Sequence, residues 1–132
     1  MDRHDAERAV DGYLQLCEDR DLDAAARCLA SGVRLEFPGG VVYRSLEEMA
    51  AASAGRYRWV RKRRERYLVG DGSTVTSIGT LYGQRLDGTP FEGVRYVDVF
   101  VLDDAGRITE QLVWNDLAEV GITHPLQRRA QP

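Results

Sequence analysis

Apolar residues in the first part of the chain fall at helical spacing. Ala6, Val10, Tyr13, Leu14 and Cys17 recur every three or four positions with charged residues between them, which predicts an amphipathic helix. Arg20-Asp21 interrupts that period, and Asp21 is placed to cap a second short helix carrying Leu22, Ala25, Ala26 and Leu29, ended by Ser31-Gly32. Val33 to Phe37 then alternates as a short strand, and Pro38-Gly39-Gly40 turns it into Val41-Val42-Tyr43. Ser45 followed by Glu48 is a capping-box pattern for a third helix running through Ala54 and closed by Gly55.

Beyond that point the period changes from helical to alternating. Stretches at about 60–69, 74–86, 91–102 and 107–117 are separated by Asp71-Gly72, Asp87-Gly88 and Asp104-Ala105-Gly106, and Asp-Gly between alternating runs is a strong hairpin signal. Helices followed by a meander of long strands predict an α+β domain, with the helices on one face of a curved antiparallel sheet. Both faces of the later strands are apolar. Val97, Val99 and Val101 share one parity and Tyr96, Asp98 and Phe100 the other, while Leu112, Trp114 and Asp116 alternate with Val113 and Asn115. Three short helices cover only one face, so a homodimer through the open face is expected.

Composition narrows the class. A chain of 132 residues, 43% hydrophobic and 30% charged, suits a single globular domain, 1–132. The net charge of −3 offers no general attraction to nucleic acid or anionic membranes. No apolar run has the length of a membrane span, and the charged N-terminus lacks a signal-peptide core, so a cytoplasmic location is expected. Cys17 and Cys28 suggest neither a disulfide framework nor a zinc site, and no metal or cofactor is expected. Arg56, Arg58, Arg61, Lys62, Arg63, Arg64 and Arg66 form a basic stretch. It reads as a solvated strand start whose charges deter edge pairing or meet a neighbouring subunit; without a stacking motif it argues poorly for nucleic acid, although an acidic ligand group near a pocket rim would suit it.

Asp98 is the residue with the most chemical content. It lies within the apolar run Val94 to Leu102, where an ionised carboxylate is costly unless paired, hydrogen-bonded or kept protonated. One reading turns it outward on a half-exposed strand, paired across the ladder with an arginine; the other places it in a pocket with Tyr96 and Phe100. Tyr13 likewise reads either as a core aromatic or as a hydroxyl donor beside that acid.

The order of elements resembles the nuclear transport factor 2-like superfamily, in its ketosteroid isomerase-like and SnoaL-like polyketide cyclase branch. The resemblance spans roughly positions 5 to 121 and rests on Gly12-Tyr13-Leu14 with Asp21-Leu22-Asp23-Ala24, on Val97-Asp98-Val99-Phe100 with Asp104-Ala105-Gly106-Arg107-Ile108, and on Trp114-Asn115-Asp116-Leu117. It implies a cone: a strongly bent sheet and three helices around one apolar pocket. Against ketosteroid isomerases, Tyr13 matches the tyrosine that donates to the substrate oxyanion and Asp98 the neutral carboxylic acid beside it, a pairing that is itself a standard example of a protonated buried acid. Phe37 stands at the position of the isomerase's base and cannot take a proton, and Ser53 stands where a supporting tyrosine is expected. Against SnoaL-like cyclases, Asp116 matches a strand-end aspartate, although a solvated strand end or a cap for Leu117 onward reads equally well. The arginine-centred carboxylate pair of epoxide hydrolases is not evident, and the histidines of scytalone dehydratase are missing, since His4 and His124 lie toward the ends.

Strand parity and family position together assign the pocket lining to Phe37, Trp59, Ile78, Thr80, Tyr82, Tyr96, Phe100 and Trp114, with Tyr13, Asp98 and Asp116 as catalytic candidates. The resemblance implies a small cofactor-independent enzyme doing acid–base chemistry on an apolar, carbonyl-containing metabolite, with polyketide or terpenoid cyclisation, isomerisation or dehydration as outcomes. The alternative is a binding or assembly domain that keeps the pocket without the chemistry, which Phe37 supports.

Overall fold

The computed structural model describes residues 2–123. Helix α1 (Arg3–Glu18) starts where the Asp2 carboxylate accepts the Asp5 N–H at 2.8 Å, and α2 (Leu22–Arg27) where Asp21 accepts that of Ala24 at 3.3 Å. Helix α3 (Leu46–Ser53) begins at Ser45, whose hydroxyl accepts the Glu48 N–H at 3.1 Å. The strands are β1 (Leu29–Phe37), β2 (Val41–Tyr43), β3 (Trp59–Gly70), β4 (Thr74–Gln84), β5 (Pro90–Leu102) and β6 (Ile108–Asn115), followed by a 3-10 turn at Leu117–Val120. Leu29 belongs to β1 rather than to the second helix, because it pairs with Ile108 across an irregular start of the strand. The last strand stops at Asn115, whose side-chain oxygen accepts the Leu117 N–H at 3.1 Å and turns the chain.

One six-stranded sheet has the order β2-β1-β6-β5-β4-β3, antiparallel throughout except for the β1–β6 pair. The helices cover one face. Against it lies the main core, where Ala6, Val10, Tyr13 and Leu14 of α1 meet Leu35, Val75, Phe100 and Ile108. A second cluster of Leu81, Phe91, Val94, Tyr96, Leu117 and Ile122 fills the other end of that inner face. Val97, Val99 and Val101 stand half-buried on the open face, and Trp114 beside them is 53% exposed.

The bend that makes a cone is written into β3 and β4. The β3–β4 register shifts between Arg64 and Arg66, so the strand bulges and twists. Gly79 and Gly83 lie on the inner face of β4, and a Cβ there would stand 1.9 Å from the Arg63 carbonyl oxygen and 2.2 Å from that of Trp59. Their bare backbone lets β3 fold inward over its neighbour. Arg64 then fastens β3 to α1, donating to Asp11 at 2.9 Å, Glu18 at 2.6 Å and Gln15 at 2.7 Å. The Tyr67 hydroxyl adds a bond to Asp11 at 2.5 Å.

Gly79→Ala is expected to destabilise the protein by about 1–3 kcal/mol through overpacking against the β3 backbone. Urea unfolding with an unchanged midpoint would show that the close approach of β3 and β4 is not required.

Candidate active site

Two hollows compete for the role of site. The larger, about 660 Å³, lies on the open face between Ile78, Thr80, Val97, Trp114 and the exposed Arg95–Asp116 pair. Its charged lining residues, Glu65, Arg95 and Asp116, are exposed or half-exposed. The smaller, about 120 Å³, lies inside the cone between helices and sheet, walled by Tyr13, Leu14 and Cys17 of α1, Met49 and Ser53 of α3, and Phe37, Tyr57, Val60, Lys62, Gln111 and Val113. A neighbouring hollow of about 320 Å³ shares Cys17, Glu18, Arg20, Ser53, Tyr57 and Val60 with it. The chemistry gathers at this inner chamber.

Asp98 is wholly buried on the inner face of β5, and neither of its carboxylate oxygens has a hydrogen-bond partner among the described residues. Its one polar contact is the Lys62 ammonium, with Nζ 3.5 Å from Oδ2. Lys62 reaches it from β3 across the inner face, passing over the Tyr96 ring at 5.2 Å, a cation–π contact. Burial pushes the Asp98 carboxyl above its ordinary range, and the charge of Lys62 pulls it partly back. Burial lowers the Lys62 pKa, but the Asp98 charge, with Tyr96, outweighs it, and the net direction is upward, so the ammonium is retained at neutral pH. Tyr96 is held by a 2.9 Å hydrogen bond with the Ser77 hydroxyl. Tyr13 packs edge-on against Phe100 and makes a long 3.4 Å bond to Gln111 Oε1. Burial, with Cys17 beside it, raises the Tyr13 phenol well above its usual range and keeps it a neutral donor. The chamber wall therefore presents two donors, an ammonium and a phenol.

The sequence matches the SnoaL-like domain over residues 10–111. The chain belongs to the SnoaL-like domain family. No curated protein matches it in sequence. Among solved structures it is similar to an NTF2-like protein of unknown function from Burkholderia pseudomallei, with 19% identity, 88% of this chain and 94% of that chain covered, and a TM-score of 0.77. It is similar to TerC, crystallised with polyporic acid, at 17% identity, 88% and 95% coverage and a TM-score of 0.79. It also resembles SalBIII, described as an epoxide hydrolase/cyclase-like enzyme in pyran ring formation in the polyether salinomycin, at 19% identity, 89% and 95% coverage and a TM-score of 0.75. At such identities the likeness establishes the NTF2-like cone.

Within this SnoaL-like chain the expected site residues divide sharply. Tyr13 and Phe37 stand on the chamber wall, whereas Trp59 borders only the neighbouring hollow and its exposed ring turns to the open side. Tyr96, Asp98 and Phe100 share the inner face, with Asp98 behind Lys62 and Phe100 packed into the core under Tyr13. Ile78, Thr80 and Trp114 do not line the chamber: they line the open-face hollow, because Gly79 pairs with Tyr96 and Val113 with Asp98, leaving the neighbouring residues on the opposite side. Tyr82 lies on that side too, edge-on to Trp59 and under the Arg63 guanidinium. Asp116 is likewise outside, accepting from Arg95 Nε at 2.7 Å across the sheet from the chamber. His124 lies outside the described residues. Lys62 was absent from the expected set, since it reads as one charge among many in a basic stretch.

Lys62→Met leaves the buried Asp98 carboxylate without a counter-charge, and should cost about 3–5 kcal/mol at neutral pH. Asp98 then has a folded-state pKa raised further above its unfolded value. The native state holds a proton that the unfolded state releases, so stability is greatest in acid and is lost as pH rises through that window. Urea midpoints of the variant, relative to the parent, should recover between about pH 7 and about pH 4. A deficit that stays constant over that range would mean that Asp98 does not depend on Lys62.

Proposed function

We propose that this SnoaL-like protein is a small cyclase-type enzyme that binds an apolar, carbonyl-containing metabolite in the inner chamber and stabilises negative charge on its oxygen. The observation that carries the proposal is the buried Lys62–Asp98 pair, with both carboxylate oxygens otherwise unpartnered and the ammonium on the chamber wall. Buried polar groups kept for structure alone are normally satisfied by hydrogen bonds, and perturbed buried acids gather at functional sites. Lys62 and Tyr13 would donate to the substrate oxygen as it gains charge during enolisation or ring closure. Asp98 would act through Lys62, holding it charged and in place. The cyclase reading draws on the family and on SalBIII, whose description names ring formation.

With Phe37 on the wall and Asp116 outside, neither position supplies a base in the chamber, so electrophilic activation rather than paired acid–base transfer is the part of the chemistry these residues favour. A non-catalytic binding role is the second reading, and Phe37 favours it: an aromatic ring where a base is expected suits retention over turnover. The half-exposed Val97, Val99, Val101 and Leu112, with exposed Trp114, support a further part of the proposal, a homodimer through the open face.

A nitrophenol is a probe for the oxyanion site, because its absorbance reports ionisation. It should bind as the phenolate with a lowered apparent pKa; Lys62→Met should weaken phenolate binding by about 100-fold and Tyr13→Phe by about 10-fold. Binding of the neutral phenol in preference, or indifference to both substitutions, would remove the oxyanion role. For assembly, light scattering should give twice the chain mass for the parent and the monomer mass for Trp114→Glu; a parent that is monomeric at all concentrations would end the dimer proposal.

A further inference from the structure

Gln111 is a buried polar side chain of the chamber wall that the oxyanion pair leaves unused. It lies on β6 with its backbone fixed on both sides, paired with Leu35 of β1 and with Phe100 of β5. Phe100 in turn packs edge-on against Tyr13, so the same stretch of core holds the glutamine and the tyrosine. Gln111 Oε1 accepts the Tyr13 hydroxyl at 3.4 Å, a long contact.

The other half of the amide is left over. A glutamine carries two N–H donors beside its acceptor oxygen, and among the described residues none accepts from Gln111 Nε2. That nitrogen is not sealed either: among the described residues the buried side-chain oxygens and nitrogens without a partner are those of Asp98 alone. Gln111 Nε2 therefore reaches open space, and the open space this residue borders is the chamber. Other polar groups nearby are used up by the protein itself. The Ser77 and Tyr96 hydroxyls bond each other at 2.9 Å, Ser53 donates to the Met49 carbonyl at 3.1 Å, and Glu18 accepts from the Lys62 backbone and from Arg64. A methionine would fill the place of Gln111 with no amide to desolvate. The Tyr13 contact accounts for the glutamine oxygen and leaves its nitrogen to a ligand.

We infer that Gln111 is a specificity-determining residue of the chamber, its Nε2 donating to an uncharged oxygen of the ligand in addition to the oxygen that takes up charge at Lys62. The physical reason is desolvation. A ligand that fills the chamber excludes water from the amide, and a donor left unpaired there costs more than a matched hydrogen bond returns. A hydrocarbon edge turned toward Gln111 meets that cost, whereas a hydroxyl, ether or carbonyl oxygen removes it. A polar group that must be matched discriminates more strongly than an apolar wall does by fit. At 3.4 Å the Tyr13 bond is weak enough to yield to a ligand oxygen, and the Nε2 donors do not depend on it. Volume sets the size of the apolar part: about 120 Å³ is close to the volume of about 150 Å³ in which an apolar protein cavity takes up benzene. This rests on the reading of the inner chamber as a ligand site and adds the substrate class to it, a ring-sized carbonyl compound with a second oxygen function.

The test titrates the intact protein with cyclohexanone and with its 2-, 3- and 4-hydroxy derivatives, followed by amide NMR. At least one hydroxy ketone should bind about tenfold more tightly than cyclohexanone and should shift the Gln111 side-chain amide signals, which are assigned by their loss in Gln111→Met. Gln111→Met should abolish that advantage and leave the affinity for cyclohexanone unchanged. The favoured isomer then places the second oxygen relative to the carbonyl. A merely structural Gln111 would instead lose affinity for all four ketones alike in the variant, with its amide signals unmoved in the parent, and that result overturns the assignment. Equal binding of the four by the parent, a preference for cyclohexanone, or a hydroxyl advantage that survives in Gln111→Met overturns it as well. Where Gln111→Met does not fold, the parent's preference and its amide shift decide, and the lack of either is fatal. Nitrophenol is the separate control: a lowered apparent pKa on binding to the parent keeps the oxyanion reading standing whatever the ketones show. Failure of all four ketones to bind overturns the role of Gln111, and failure of nitrophenol as well overturns the ligand chamber itself.

Discussion

A carboxylate without hydrogen bonds, sealed under a single ammonium, is the constraint around which this cone is arranged. Among the described residues Asp98 has no hydrogen bond to lower the cost of its burial, and β3 brings Lys62 within 3.5 Å of it from two strands away. That requirement reaches through the fold. The bulge after Arg64, the bare β4 backbone at Gly79 and Gly83, and the clamp of Arg64 and Tyr67 on α1 all serve to fold β3 over the inner face. A flat sheet would leave Lys62 in solvent and Asp98 uncompensated.

The same bend explains why the chamber is electrostatically active rather than merely apolar. Tyr96 lies under the Lys62 stem, Phe100 backs Tyr13, and together they exclude water from one side of the pair. Charges interact more strongly in such a setting than at a wetted surface. Glu18 joins helix and sheet: by accepting from the Lys62 backbone N–H and from Arg64 it fixes the strand carrying the ammonium.

How far the sequence could be read depended on whether a strand was regular. The helices and their caps at Asp21 and Ser45 were legible because capping is local chemistry, whereas strand parity left Asp98 open between an outward and an inward reading, which its full burial decides for the second. The lining was not legible in the same way. Ile78, Tyr82 and Trp114 have the bulk expected of an interior, yet small residues occupy the inner face of β4 because β3 needs the room. Size pointed one way and register the other; the pairing of Gly79 with Tyr96 decides for register. Lys62 was hidden by the bulge. Val60 and Tyr67 both face inward although they differ in parity, so strict alternation along β3 cannot identify the inner charges. The signal in the sequence that points to Lys62 is the need of Asp98 itself for a cation.

Membership in a family whose fold hosts many chemistries leaves the reaction to be argued from the residues on the wall. Here those residues are asymmetric. The donors, Lys62 and Tyr13, stand on the chamber wall, and the position associated with a base holds Phe37. An acid and a base placed on opposite sides of a substrate would suit proton shuttling. Donors on the wall, with Phe37 where a base is expected, suit a substrate whose own nucleophilic atom completes the reaction. Ring closure has that form, because both reacting atoms belong to one substrate and the protein's task is to orient them and to accept charge on one oxygen.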